Sequence, residues 1–177
     1  MSIPEEPVET VWQGKWIVAK RQGKWEYVSR ARGIEAAVIL AIDAEDHVLL
    51  VEQYRVPLGK RCLELPAGLI GDTHDGDTPM DAARRELEEE TGYHCDHAEN
   101  LGFFHSSPGM VTEGFTLVRA SGLTRVSEGG GIEGEDITVY RVARSEVPDF
   151  VARKRAEGVA IDVKLLLLLA QSLLAGA

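Results

Sequence analysis

The segment that most constrains the fold is residues 78–92, which read TPMDAARRELEEETG. Thr78 followed by Pro79 is typical of a capped helix start, and Gly92 at the other end indicates where the helix stops. Apolar residues recur at intervals of three and four, so one face should pack against a core: Met80, Ala83 and Leu87. The segment therefore predicts an amphipathic helix that ends at about Thr91.

The same helix carries four glutamates near its carboxyl end: Glu86, Glu88, Glu89 and Glu90. Like charges three or four residues apart destabilise a helix by roughly 0.2–0.5 kcal/mol per pair, and carboxylates are unfavourable at the negative end of the helix dipole. At about 100° per residue, the side chains of Glu86, Glu89 and Glu90 share one arc of the helix, and Glu88 points away from it. Hard divalent cations prefer such clustered oxygens; the alternative is a solvated acidic face paired with Arg84 and Arg85.

Composition bounds the class of protein. The chain has 177 residues, of which 44% are apolar and 27% charged, and its formal charge is −10. This predicts one globular domain, and so acidic a surface argues against nucleic acid or anionic lipid as a partner. A phosphate substrate stays possible because a bound metal ion reverses the local field. Cys62 and Cys95 lack ligand spacing and are predicted to be buried or half-buried free thiols.

Two features indicate a cytoplasmic protein without a membrane span. The N-terminal sequence MSIPEEPVET is acidic and has no apolar signal region. The most apolar run, VKLLLLLAQSLLAGA, is shorter than the ~20 residues that span a bilayer. We therefore expect this run to form a buried terminal helix.

The order of predicted elements favours an α+β fold, an α/β/α sandwich. All three tryptophans fall in the first thirty residues, which predict a small strand meander. Strands at 34–43 and 47–55 should form a hairpin, and a helix capped by Ser145 should end at Gly158. Further strands and a last helix are predicted at 62–69, 98–105, 114–120, 137–143 and about 162–175.

At residues 71–93 the sequence resembles the Nudix box, G-x5-E-x7-R-E-U-x-E-E-x-G-U, in which U is a bulky apolar residue. The matching residues are Arg85, Glu86, Leu87, Glu89, Glu90, Gly92 and Tyr93. Asp77 replaces the upstream glutamate, and the box glycine is either Gly71 by spacing or Gly68 by its Pro-Ala-Gly context. The resemblance implies a Nudix sandwich with a small N-terminal antiparallel β unit.

The resemblance also implies a reaction, the hydrolysis of a nucleoside diphosphate linked to another group, with Mg²⁺ as cofactor and Mn²⁺ as a possible substitute. Glu86 and Glu90 would be the principal metal ligands. Glu89 would bind a further ion directly or through water, and the Ala67 carbonyl would be an extra ligand. Arg85 would orient the glutamates through a charge-assisted bond.

Five further motifs look like the ADP-ribose pyrophosphatase group of nucleotide-sugar hydrolases: VEQYR, ELPAGL, SPGMVTE, EGEDI and EGVAIDVKLLLLLA. With the box, this resemblance covers residues ~34–175. It implies a catalytic domain over 34–177 and an N-terminal β unit over 1–33 that is exchanged between the two subunits of a homodimer.

The helix carboxylates would be occupied by metal, so the general base should come from elsewhere. The loop SEGGGIEGEDI carries acids beyond three glycines, and a glycine-rich hinge suits a segment that closes over substrate. By position against the group we choose Glu133 as the base, with Glu135 as the alternative. The alternative is that these acids belong to a solvent-exposed loop and have no catalytic role.

Three further positions are candidates for binding substrate. Arg55 follows a strand and could clamp a diphosphate or a ribose phosphate, or form a surface salt bridge. Glu113 could contact metal or ribose, or stabilise a turn. One of the N-terminal aromatic residues Trp12, Trp25 and Tyr27 could stack on the base, although a small strand unit usually buries its aromatic side chains.

The resemblance to this group implies an enzyme that hydrolyses ADP-ribose to AMP and ribose 5-phosphate. One alternative substrate is GDP-mannose or another nucleoside diphosphate sugar. An alternative from another class is a non-catalytic nucleotide-sugar sensor, which would be expected to lose the box glutamates that this chain retains.

Overall fold

A computed structural model describes residues 6–71, 76–132 and 134–175. The strands, in chain order, are β1 (Glu9–Gln13), β2 (Ile17–Gln22), β3 (Trp25–Arg30), β4 (Glu35–Ala41), β5 (His47–Arg55), β6 (Lys60–Glu64), β7 (Ala67–Ile70), β8 (Tyr93–His105), β9 (Gly114–Arg125), β10 (Thr138–Ala143) and β11 (Ala160–Ile161). The helices are α1 (Pro79–Thr91), α2 (Val147–Ala156) and α3 (Leu166–Ala175).

The strands form three sheets, with the orders β1-β2-β3, β10-β5-β6-β11 and β7-β4-β9-β8. Two pairs are parallel, β4 with β9 and β6 with β11. Successive side chains of a strand point to opposite faces of the sheet, and this divides the core into two layers. Ala37 and Ile39 pack with Leu87 of α1, whereas Val38 packs with Val147 of α2 and Leu169 of α3. Helices thus cover both outer faces, and the predicted α/β/α sandwich is confirmed.

The structure corrects the predicted hairpin over 34–55. Asp43 does hold a tight turn, since its carboxylate accepts the backbone N–H groups of Glu45 and His47. Beyond the isolated bridge between Ile42 and Val48 the two strands part. β4 pairs with β7 and β9, whereas β5 pairs with β6 and β10, so the two strands belong to different sheets. The predicted strand at 62–69 divides in the same way at Pro66 into β6 and β7.

Two predictions about the C-terminal helices were also wrong. Ser145 lies within a 3-10 turn, and α2 begins after Glu146 without a side-chain cap. The terminal helix is not buried as a whole: Leu169 is 5% exposed, but Leu174 is 75% exposed. A helix that packs on one side buries only one stripe, even when leucine occupies most positions. Within the described residues, no helix is long and apolar enough to cross a membrane.

Other predictions are confirmed. Thr78 caps α1 and forms a reciprocal capping box with Asp81, and Gly92 ends the helix in the left-handed conformation. Both cysteines are buried free thiols. The expectation of buried aromatic residues in the N-terminal sheet was wrong, because Trp12, Trp16 and Trp25 are each at least half exposed. This small sheet has too little apolar area of its own to bury three indole rings.

A buried carboxylate joins the second sheet to α2. Glu52 is 5% exposed and accepts bonds from Arg61 Nε at 2.7 Å, Lys154 Nζ at 2.9 Å and the Tyr140 hydroxyl at 3.1 Å. Burial alone would raise the pKa of Glu52, but these donors outweigh it and lower the pKa below its ordinary value. The ionised carboxylate is therefore part of the folded structure.

Substitution of Glu52 should destabilise the fold. Glu52→Ala leaves Arg61 and Lys154 without their shared acceptor and should lower the free energy of unfolding by on the order of 3 kcal/mol. Urea denaturation checks this value. Glu45→Ala, which removes a 70% exposed partner of Arg141, is the matched control and should cost under about 1 kcal/mol. Equal losses in the two variants would contradict a structural role for this network.

Candidate active site

A cavity of about 640 Å³ opens between α1, the ends of β5 to β7 and the turn after β11. Its described lining carries six carboxylates and three cationic side chains, which are Glu64, Glu86, Glu90, Glu113, Glu135, Asp162, Arg30, Arg55 and Lys164. Elements from both four-stranded sheets contribute to this wall. Charged groups distant in sequence are therefore gathered at one place in the fold.

Helix α1 approaches the backbone of β7 very closely. A Cβ atom at Gly68 would overlap the Glu86 carboxyl group, so a larger residue at this position would displace the Glu86 side chain. On the next turn, the Ala67 amide donates to the Glu90 carboxylate at 3.1 Å. Of the two candidates for the box glycine, Gly68 thus contacts a box glutamate directly, whereas Gly71 has a positive φ of 76°. The loop between Gly71 and Gly76 lies outside the described residues.

Glu90 occupies an electrostatically unfavourable position. Glu90 is buried and only 5% exposed. Burial, reinforced by the charges of Glu86 and Glu135, raises the pKa of Glu90 to about 8 despite the bond from Ala67 and the attraction of Arg55. The positive charge near Glu90 is therefore too small to offset its burial and the neighbouring carboxylates. A divalent cation would add to it, so this set of donors fits the metal that the sequence implied.

Arg85 lies beside the box glutamates. Its Nη1 donates to Glu86 Oε1 at 2.6 Å and lies 3.7 Å from the Glu89 carboxylate, and its Nη2 lies 3.7 Å from Asp77. Glu86 and Glu90 share the main cavity, whereas Glu89 and Arg85 line a neighbouring surface depression. The described residues contain no ready-made group of three or more His, Cys, Asp or Glu side chains able to hold a metal. Full convergence of the three glutamates is therefore not present in this conformation.

The loop after β9 is docked onto the end of α1. The amides of Ser127, Gly130 and Gly131 donate to the carbonyls of Gly92, Glu90 and Glu89, respectively. A helix end leaves its last carbonyls without partners, and these amides satisfy them. The sequence indicated a glycine-rich hinge, and its glycines permit this close approach: a Cβ at Gly129 would overlap the backbone of Thr91.

Docking brings one of the two predicted loop acids to the site. Glu135 lines the main cavity, and its carboxylate accepts the Ile132 amide at 2.9 Å. Glu133 lies outside the described residues. The structure thus places Glu135 with Glu86 and Glu90.

The predicted substrate-binding residues divide into two groups. Arg55 lines the cavity and is held by Glu64 through two bonds of 2.6 and 2.8 Å. Glu113 also lines it and pairs with Arg30, whose Nε lies 2.7 Å away. Trp25 and Tyr27 are not among the described residues of this wall; Tyr27 lines a separate groove beside Met110.

Several residues of the cavity wall escaped the sequence analysis: Arg30, Glu64, Asp162 and Lys164. Glu64 gave one usable signal, because an acid between two leucines on a predicted strand must have a partner if it is buried. The identity of that partner, Arg55, depends on the pairing of β5 with β6. The other three come from elements whose neighbours could not be inferred from sequence.

Comparison with known proteins identifies the family. The model of the NUDIX domain matches residues 32–134. A methanol dehydrogenase activator of Bacillus methanolicus is 38% identical over 121 residues, which cover 68% of this chain and 64% of that protein. A GDP-mannose pyrophosphatase of Cronobacter sakazakii is 38% identical over 147 residues, covering 78% and 72% of the two chains. A mouse ADP-sugar pyrophosphatase is 37% identical over 119 residues, covering 58% and 53%.

A solved structure supports the same conclusion for the fold. The crystal structure of an ADP compounds hydrolase superimposes with a TM-score of 0.67 at 24% sequence identity, covering 97% of this chain and 94% of that one. The domain match extends over more than half of the sequence and contains the carboxylates of α1. The chain is a member of the Nudix family.

Proposed function

We propose that this protein is a metal-dependent hydrolase that cleaves the diphosphate of a nucleoside diphosphate sugar. The observation that carries the proposal is the excess of carboxylates over cations in the cavity wall, which includes Glu86 and Glu90 from the Nudix box. A dianionic diphosphate would be repelled by this wall unless divalent cations entered with it. The pyrophosphatase names of two of the relatives support the same class of reaction.

The metal ligands in this proposal are Glu86 and Glu90, with Glu89 and the Ala67 carbonyl as further donors. When bound, Mg²⁺ or Mn²⁺ supplies charge neutralisation and polarisation of the phosphoryl oxygens. Arg85 restrains Glu86 through their bond of 2.6 Å. Arg55, fixed by Glu64 at the cavity wall, presents a guanidinium group that can hold a phosphate oxygen.

A loop acid takes the proton from the attacking water. We assign this role to Glu133 and keep Glu135 as the alternative. Glu135 lines the cavity next to the box glutamates, and the backbone bonds from Gly130 and Gly131 to α1 hold its segment in place. A carboxylate so placed can act while Glu86 and Glu90 are occupied by metal.

ADP-ribose is the proposed substrate, and AMP and ribose 5-phosphate are the proposed products. The motifs VEQYR, ELPAGL and SPGMVTE support this choice, because Arg55, Glu64 and Glu113 of these motifs all line the cavity. GDP-mannose is the alternative that the relatives' names also allow. A catalytically silent sensor is disfavoured because the box glutamates are retained and two of them line the cavity.

We further infer a cytoplasmic homodimer. Buried free thiols at Cys62 and Cys95 fit a reducing compartment. The N-terminal sheet leaves Val11, Trp12 and Trp25 at least half exposed, and a second copy would cover such apolar surface. Light scattering that gives the mass of a single chain at assay concentration would overturn the dimer.

A product assay tests the proposed function. The protein is incubated with ADP-ribose, GDP-mannose and a nucleoside triphosphate, with Mg²⁺ and then with chelator, and the products are resolved by chromatography. We expect chelator-sensitive formation of AMP from ADP-ribose ahead of the other reactions. Formation of GMP from GDP-mannose alone would replace the substrate but keep the reaction, and tight binding without turnover would favour the sensor.

Glu86→Gln should reduce turnover by orders of magnitude, because it removes a charged ligand from the cavity. The matched control is Glu88→Gln, since Glu88 lies on the same helix but outside the cavity and contacts His94 at 3.5 Å. Steady-state kinetics at saturating Mg²⁺ compares the two variants, and circular dichroism checks that both fold. Near-normal activity of Glu86→Gln would refute the assignment of this ligand.

Glu133→Gln should reduce kcat by about 10²–10⁴-fold, the usual contribution of a general base, while the Mg²⁺ concentration for half-maximal rate stays the same. Glu135→Gln is the matched variant two residues away. If Glu135→Gln loses activity and Glu133→Gln does not, the base is Glu135. Activity of both variants close to that of the wild type would remove this loop from the chemistry.

A further inference from the structure

The loop of residues 127–137, here called the catalytic loop, carries both candidate bases. Arg61, on β6, contacts this loop at a point outside the cavity. Its Nη1 donates to the Asp136 carboxylate at 2.9 Å, and its Nη2 donates to the Asp136 carbonyl at 3.1 Å and the Thr138 hydroxyl at 3.2 Å. The described cavity lining does not include Arg61. Its side chain therefore reaches the segment that follows Glu135 without facing the proposed substrate.

The guanidinium group of Arg61 is itself fixed from the opposite side. Its Nε donates to Glu52 Oε1 at 2.7 Å, and its Nη2 also donates to the Glu52 carbonyl at 2.8 Å. Glu52 is in turn held by Lys154 of α2 and Tyr140 of β10. A rigid planar donor with partners on both sides can transmit the position of a buried acid to a surface loop.

The loop thus has an anchor on each side of Glu135. Before it, the amides of Gly130 and Gly131 are bound to the end of α1. After it, Asp136 has φ of 49°, a left-handed conformation that is unusual for a residue other than glycine. Arg61 binds both the carbonyl and the carboxylate of this residue. An unfavourable backbone conformation of this kind persists when surrounding contacts hold it.

From this arrangement we propose that Arg61 is a positioning residue. It fixes the carboxyl end of the catalytic loop, whose sequence carries both candidate bases, and so holds Glu135 at the cavity wall. The proposal rests on the proposed function for its catalytic consequence. Its structural consequence, a loop held in one conformation, does not depend on which substrate is cleaved.

A simpler reading is that Arg61 forms only a surface ion pair with Asp136, whose side chain is 85% exposed. An exposed pair of this kind contributes little to stability. The simpler reading does not account for the bonds to the Asp136 carbonyl and the Thr138 hydroxyl, which act on the backbone path of the loop. The two interpretations predict different hydrogen-exchange rates for the loop amides after Arg61 is replaced.

Hydrogen exchange of the full-length protein separates them. The amides of Ile132, Glu135 and Ile137 are bonded within the loop, so their exchange reports its order. In Arg61→Met we expect these amides to exchange at least about tenfold faster than in the wild type. The matched control is Arg141→Met, because Arg141, on β10, likewise joins two acids, Asp43 and Glu45, but these lie on the turn between β4 and β5 and not in the loop. It should leave the loop amides unchanged.

Kinetics test the catalytic consequence. Arg61→Met should lower kcat by about 10- to 100-fold, the scale expected when a catalytic group is misplaced, with KM and the Mg²⁺ requirement within about threefold of the wild type. Arg61→Lys keeps a cation near Glu52 but has one nitrogen in place of the guanidinium fork. It should restore the thermal stability lost in Arg61→Met without restoring kcat. Arg141→Met should leave kcat unchanged.

The outcomes are distinct. Unchanged loop exchange in Arg61→Met overturns the proposal, whatever the activity. Faster exchange with an unaltered kcat in an active enzyme also overturns it, because the loop is then not needed in one position. A wild-type protein that cleaves no nucleoside diphosphate sugar refutes the proposed function instead, and the exchange of the loop amides alone then decides whether Arg61 positions them.

Discussion

The close packing of α1 against β7 is the constraint on which the site depends. Gly68 lets the helix approach until the Glu86 carboxyl group lies against the strand backbone, and Ala67 donates to Glu90 one turn later. Small buried residues on the helix, Ala82 and Ala83, allow the same approach to the sheet. A side chain at residue 68 would overlap the Glu86 carboxyl group and would displace it from this position.

This packing has an electrostatic cost that the fold does not relieve by itself. Glu90 is buried near Glu86 and Glu135, and its pKa rises to about 8. A raised carboxyl pKa means that the folded state holds the proton more tightly than the unfolded state. Stability of the metal-free protein therefore falls as pH rises from the ordinary glutamate range towards 8. Such a cost in stability is common at functional sites, and the proposed divalent cation would offset it.

Local patterns in the sequence carried much of the correct prediction. Thr78, Asp81 and Gly92 are capping residues, so the bounds of α1 follow from short-range chemistry. The spacing of Glu86, Glu89 and Glu90 predicted that their side chains lie on one side of the helix, because the turn angle per residue is fixed. The hairpin of β4 with β5 failed because strand partners are chosen by the burial of both faces, and a tight turn at Asp43 does not decide them. Neighbouring elements decide which part of this arc is covered, so Glu86 and Glu90 line the main cavity and Glu89 lines the depression beside it.

The sequence by itself determined the family, the helix and its carboxylates, because these depend on residue identity at fixed short spacing. Only the tertiary structure decided which distant side chains meet them. The pairing of β5 with β6 brings Glu64 to Arg55, and the docking of the loop onto α1 brings Glu135 to Glu90. The bonds of Arg61 to Glu52 and Asp136 join residues 9 and 75 positions apart. Contacts over such separations follow from how sheets and helices pack, and no local pattern encodes them.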